Sequence, residues 1–168
     1  DAILKLLQHV RFKGCKILDL ACGKGDIAKY FFASSGINEI LTLDTSITCI
    51  RELKRDFPSI DACIADAHLT PYTSCYFDFV ICINFWEHTA TPVLLAKEVN
   101  RILKEEERYF LFSTPSRYNL INLWRILRGN QVQFQNPTHH VTEYSVGQIK
   151  ELLRYSGFEV VSITSINN

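Results

Sequence analysis

Asp19, Asp44 and Asp66 each stand where a short apolar run gives way to turn residues. A solitary carboxylate in such a place is ordinarily a helix cap or a turn former. Three at successive run ends are hard to explain as solubility, because solvated charges scatter over helix faces, and their register points to a ligand site. Between the first two lies Ala21-Cys22-Gly23-Lys24-Gly25, where two glycines allow positive φ and close backbone approach to a bound molecule. A helix following this turn adds its unpaired N–H groups to the same place. His88, His139 and His140 are the side chains able to orient or deprotonate a hydroxyl near neutral pH. Each would serve equally well as a helix cap or a partner for backbone. No third ligand stands at metal spacing from the His139-His140 pair, so no metal site is expected. His9 and His68 are assigned no role.

The elements that must position these groups follow from periodicity. Ile3, Leu4, Leu6 and Leu7 have helical spacing within Ala2–His9. Strands are predicted over Cys15–Leu20, Ile37–Leu43, Ile60–Ala65, Phe77–Phe85, Tyr109–Ser113 and Phe158–Ile163. Helices are predicted over Asp26–Ala33, over Ile47–Phe57 stopped by Pro58, over Pro92–Leu103 with proline in its first turn, and over Ser145–Ser156 ended by Gly157. Strands alternate with helices, and several strands are apolar on both faces. That combination predicts an α/β doubly wound, mostly parallel sheet with helices on both faces. Such sheets bind ligands beyond the carboxyl ends of their strands. Asp19, Asp44, Asp66 and the Asn84–His88 stretch all fall there.

The connection Thr114–Thr142 is long for a compact domain, a length uncommon unless the segment is functional or disordered. Within it, Leu120, Ile121, Leu123, Trp124, Ile126 and Leu127 are too apolar for a free linker. Residues 116–142 are expected to cap the pocket, with an interface helix as the other use. Arg117, Arg125 and Arg128 fit either an anionic substrate or a solvated helix face.

The 168 residues suit one domain, 1–168, able to bury about 70% of its unfolded surface. At 47% hydrophobic and 21% charged residues, the composition excludes disordered, collagen-like and coiled-coil proteins. Eighteen basic side chains balance eighteen acidic ones, so no overall positive field holds nucleic acid. The six cysteines form no C-x-x-C pair and sit mostly in apolar runs, which predicts buried, reduced thiols and a cytoplasmic setting. No apolar run reaches the ~18–20 residues of a membrane span, and the first ten residues do not read as a signal peptide.

Gly23-x-Gly25-x-x-Ala28, with Asp44 downstream, formally fits a dinucleotide-binding fingerprint. The full stretch Ile17-Leu18-Asp19-Leu20-Ala21-Cys22-Gly23-Lys24-Gly25-Asp26-Ile27-Ala28 resembles more closely the first motif of the class I (Rossmann-like) S-adenosylmethionine (SAM)-dependent methyltransferases. The resemblance is to the type 11 and related small-molecule group and covers about Cys15 to Ile163. It implies that Ala21, Cys22, Gly23 and Gly25 wrap the methionine part of SAM, with Asp19 near its ammonium group. It also implies Asp44 and Thr45 at the ribose and Asp66 and Ala67 at the adenine. The run FDFVICINFWEHT resembles the fourth-strand motif, which would set Asn84, Phe85 and His88 beside the methyl donor. Arg101-Ile102-Leu103-Lys104 matches the end of the next helix, but Glu105-Glu106-Glu107 replaces the usual Pro-Gly-Gly. Asn136–Tyr144 resembles the stretch before the last helix, and Leu152–Phe158 its leucine-rich, Gly-Phe ending.

The activity implied is methyl transfer from SAM to a small-molecule, lipid or glycan-like acceptor, at oxygen ahead of nitrogen or carbon. Residues 84–88 lack the Asn/Asp-Pro-Pro-Tyr/Phe signature of enzymes acting on base amines, which again argues against nucleic acid. Two alternatives stand beside this: a SAM-binding scaffold without catalysis, and a small NAD(P)-dependent oxidoreductase. The second lacks a Tyr-x-x-x-Lys pair, and Asp19 would lie against its pyrophosphate. Relatives usually end in a further antiparallel strand, so the chain is expected to be a core clipped at both ends.

Overall fold

Ile17-Leu18 and Phe79-Val80-Ile81-Cys82 are apolar on both faces, and they become the buried middle of a sheet. In the computed structural model, which describes residues 14–34, 39–118, 120–134, 136 and 139–165, five strands form that sheet. They are β1 (Ile17–Leu20), β2 (Ile40–Asp44), β3 (Asp61–Ile64), β4 (Phe79–Ile83) and β5 (Tyr109–Ser113). Their order is β3-β2-β1-β4-β5 and every pairing is parallel. Five helices accompany them: α1 (Asp26–Ser34), α2 (Ile47–Asp56), α3 (Pro92–Ile102), α4 (Leu120–Leu127) and α5 (Val146–Tyr155). A 3-10 turn, Trp86–His88, follows β4. The chain steps outward from β1 to β3, then returns to β4 on the other side of β1. A topological switch point therefore lies between β1 and β4.

Strand alternation feeds two core layers. Ile17, Phe79 and Ile81 pack on one side with Ile27, Phe31 and Leu53 of α1 and α2. Leu18, Leu20, Val80 and Cys82 pack on the other with Leu95, Val99 and Ile102 of α3 and Leu153 of α5. The helix starts are chemically specified. Ser46 accepts from the Cys49 N–H at the head of α2, and Ser145 and Gln148 form a reciprocal capping box on α5. Pro92 opens α3.

Three expectations need correction or placing. Residues 158–163 form no strand. Phe158 and Val160 pack on the core, but the segment has no backbone ladder, and apolar alternation alone does not make a strand. The fourth strand is shorter than Phe77–Phe85, because Asn84 turns to φ +51 and ends it. The Ala2–His9 helix lies outside the described residues. The turn that carries three glutamates passes through Glu107 at φ +47, the left-handed region that suits the glycine expected near there.

The helix expected as a cap is present as α4, with most of its apolar side chains facing solvent. Its one buried residue, Asn122, donates to the carbonyls of Arg117 and Gln133 and accepts from the Gln133 N–H. Among the described residues, no helix is long and apolar enough to cross a membrane.

Candidate active site

A cleft of about 230 Å³ opens at the carboxyl ends of β1, β2 and β4. It is lined by Ala21, Leu43, Asp44, Thr45, Ala65, Ala67, Asn84, Phe85 and His88. Seven of these nine are residues singled out in the sequence. Leu43 and Ala65 are additions.

The loop after β1 is fixed from three directions. Cys22 N–H donates to the Leu43 carbonyl at 3.0 Å, and Gly25 N–H to the Cys22 carbonyl at 2.8 Å. Gly23 N–H donates to Asp44 Oδ2 at 2.7 Å, while Ser46 N–H donates to Asp44 Oδ1 at 2.8 Å. Asp44 thus ties the glycine loop to the start of α2 and still has acceptor capacity facing the cleft, since each carboxylate oxygen takes two bonds. Ala21 holds φ +56, a conformation costing a non-glycine residue about 1–2 kcal/mol. Cys22 is held as the protonated thiol. Burial, with the charges of Asp19 and Asp44 adding to it, pushes its thiol up to about 12.

Asp19 lies beneath the loop and does not line the cleft. It is 2% exposed, and Oδ2 accepts from the Ala28 N–H in the first turn of α1 at 3.3 Å. Burial pushes its carboxyl from 3.8 up to about 7, against the opposing pull of that hydrogen bond. The folded chain therefore keeps a proton that the unfolded chain has lost, and stability falls as pH rises from about 4 to about 7. Asp19→Asn keeps the acceptor without the buried charge. It should be more stable than the parent at pH 8 by on the order of 3 kcal/mol and nearly equal to it at pH 4. Denaturant unfolding at the two pH values reads this. An equal gap at both would show that the charge of Asp19 is not what burial penalises.

Asp66 is exposed beside the cleft and accepts from both the N–H and Nδ1 of His68, each at 2.8 Å. These bonds hold its carboxyl below the ordinary range. The other ring nitrogen of His68 meets the buried Thr89 hydroxyl at 2.7 Å. His68, given no role from sequence, is thus the residue that fixes Asp66. Asn84 is fixed in a similar way, its Oδ1 accepting from the Ser113 hydroxyl at 2.8 Å.

Of the three candidate histidines one lies in the cleft, and the other two lie next to it in space. His88 lines it. His139 contributes its carbonyl, which accepts from His88 Nδ1 at 2.9 Å. The ring of His140 stands 5.3 Å from that of His88, with Nδ1 2.7 Å from Glu143 Oε1. The N–H groups of Val141 and Thr142 donate to the Glu87 carbonyl, which closes the strap onto the 3-10 turn. Cys22, Gly23, Gly25 and Asp66 shape the surroundings without lining the cleft itself.

Small residues at 21, 65 and 67, apolar walls at Leu43 and Phe85, and a carboxylate at the end of β2 give the cleft room for a flat ring and an acceptor for hydroxyl groups. A sequence profile described as a methyltransferase domain matches residues 1–163. The chain belongs to the methyltransferase-domain family. An uncharacterized methyltransferase of Schizosaccharomyces pombe is 32% identical over 88 residues, which are 52% of this chain and 34% of that protein. The chain thus spans about a third of the length of that relative. A SAM-dependent methyltransferase from Archaeoglobus fulgidus superposes with a TM-score of 0.72 at 23% identity, covering 94% of this chain and 68% of that one. The 4+2 cyclase SpnF superposes at 0.76 with 19% identity, covering 96% and 57%. At these identities the superpositions show a shared fold. The cofactor of this methyltransferase domain is SAM.

Proposed function

We propose that this methyltransferase domain moves a methyl group from SAM to an oxygen of a small-molecule, lipid or glycan-like acceptor. The observation that carries the proposal is His88 in the lining of the cleft with the His140 ring 5.3 Å from its own. When bound, SAM supplies a methyl group on a sulfonium, already a good leaving group. The chain has to orient the acceptor and manage its proton. In this reading Asp44 and Thr45 hold the ribose, Asp66 and Ala67 the adenine edge, and the Ala21–Gly25 loop the methionine part. Asp19, buried beneath that loop, acts on the ammonium group through its charge and not by contact, and that positive charge would draw the carboxyl back to its ionised form. Asn84 and Phe85 flank the methyl group. The acceptor hydroxyl loses its proton at the His88–His140 pair. Residues 116–142 cap the acceptor side, tied down by the Ser116–Tyr144 bridge at one end and by the His88–His139 contact at the other. The domain 1–168 works as one unit, and its six free thiols, of which Cys82 alone is buried and Cys75 is exposed, contrary to the expected burial, suit a reducing, cytoplasmic setting.

Acceptor panels with hydroxyl, amine and carbon nucleophiles test this. Hydroxyl acceptors should turn over, and His88→Gln and His140→Gln should each lower kcat by about 10²–10⁴-fold while SAM affinity stays within a few-fold. Turnover confined to amines, or kcat unaffected by both substitutions, would overturn the oxygen assignment.

A further inference from the structure

Glu87, His88 and His140 come from the 3-10 turn after β4 and from a strap some fifty residues later, yet one ligand atom from each lies within 4.8 Å of the others. Glu87 is 3% exposed, and its Oε2 has no hydrogen-bond partner among the described residues. A buried carboxylate oxygen with no donor is costly unless a cation answers it. Both imidazoles are also arranged as ligands. Nδ1 of His88 is used by the His139 carbonyl and Nδ1 of His140 by the Glu143 carboxylate, which leaves Nε2 of each ring for an ion. Outer partners of this kind, a backbone carbonyl and a carboxylate, are what orient metal-binding histidines and raise their basicity. Glu143 is itself fully buried, so two carboxylates lie in this part of the fold, one of them paired with His140.

We propose that Glu87, His88 and His140 bind a divalent transition-metal ion of the zinc type at the edge of the cleft. Two imidazoles and one carboxylate suit zinc or a neighbouring first-row ion better than magnesium or calcium, which prefer all-oxygen shells. Tetrahedral zinc with bonds of about 2.1 Å keeps its ligands about 3.4 Å apart, so the exposed His88 has only to turn inward. Three protein ligands leave one position open, and His88 places that position against the cleft. The ligand class for it is an oxygen of the acceptor, hydroxyl or carboxylate. That last assignment rests on the oxygen-acceptor reading above, with the ion, once both Nε2 atoms hold it, taking over from the free histidines the task of acidifying the acceptor hydroxyl; the ion site itself does not rest on that reading.

Cobalt(II) is the probe, because its visible bands report coordination and its near-ultraviolet thiolate bands report binding to any of the six cysteines. The full chain, without SAM or acceptor, should take up one equivalent of cobalt with visible bands, no thiolate band, and displacement by zinc. His88→Gln should weaken cobalt binding at least 10-fold. His140→Ala should do the same if folded. Glu143→Gln, which alters only the outer partner, should weaken it about 10–100-fold. Unchanged cobalt affinity in His88→Gln, a spectrum dominated by thiolate bands, or no uptake at micromolar cobalt would each overturn the site. Calorimetry with SAM on the same samples reads the methyl-donor cleft separately. Cobalt uptake without SAM binding would leave the ion site standing and remove the proposed function, and the reverse result would do the opposite.

Discussion

Asp44→Ala should weaken SAM binding about 10- to 150-fold, the equivalent of the ~1.5–3 kcal/mol carried by hydrogen bonds to a charged group. Two effects act together. The ribose loses its acceptor, and the Gly23 and Ser46 N–H groups lose the carboxylate that ties the glycine loop to α2. Asp44→Asn separates them. Its single carbonyl oxygen can satisfy one backbone N–H, so the loop is partly restored while the paired acceptance of a diol is lost. Calorimetric titration with SAM should rank the parent tightest, then Asn, then Ala. Parent-like affinity in Asp44→Ala would mean that the ribose is held elsewhere.

Gly25→Ala should destabilise the fold by about 2–4 kcal/mol, because it combines overpacking with a strained backbone. A β-carbon at this position would stand 2.7 Å from Leu53 Cδ1, and Leu53 is fully buried in the layer formed by α1 and α2. The backbone there also holds φ +76. For a chain of this length the loss corresponds to about 5–15 °C in Tm. Gly23→Ala is the internal comparison. At φ +53 nothing lies within 4 Å of the added carbon, so only the left-handed strain of about 1–2 kcal/mol is expected. Thermal unfolding of the two variants side by side reads the difference. Equal losses would mean that Gly25 serves conformation alone and not the approach of α2 to the loop.

Much of the fold was legible because a parallel sheet buried on both faces leaves local marks. The apolar runs of β1 and β4, the proline that opens α3 and the Ser145–Gln148 capping box all act within a few residues of chain. The sixth strand was misread for the complementary reason. Alternation at Phe158 and Val160 reports which side chains are buried, but a ladder needs a neighbour that local sequence does not name. The cleft divides along the same line. Asp44, Thr45, Asn84 and Phe85 follow their strands directly and could be placed from sequence. Asp19 lies within β1, whose alternation turns it under the loop instead of into the cleft. His68 and Glu87 gained their importance only through distant contacts, to Thr89 and to the 139–142 strap, which no spacing rule reports. The same closure across fifty residues of chain brings Glu87 and His88 beside His140, a grouping that the spacing of the His139-His140 pair does not report.

The central claim is that the cleft between β1 and β4 is a SAM site built on the glycine loop and Asp44. Calorimetric titration of the chain with SAM, S-adenosylhomocysteine and NAD tests it most directly. Micromolar binding of the first two, one per chain, with no heat from NAD is the expected result. Binding of NAD without binding of SAM would contradict it.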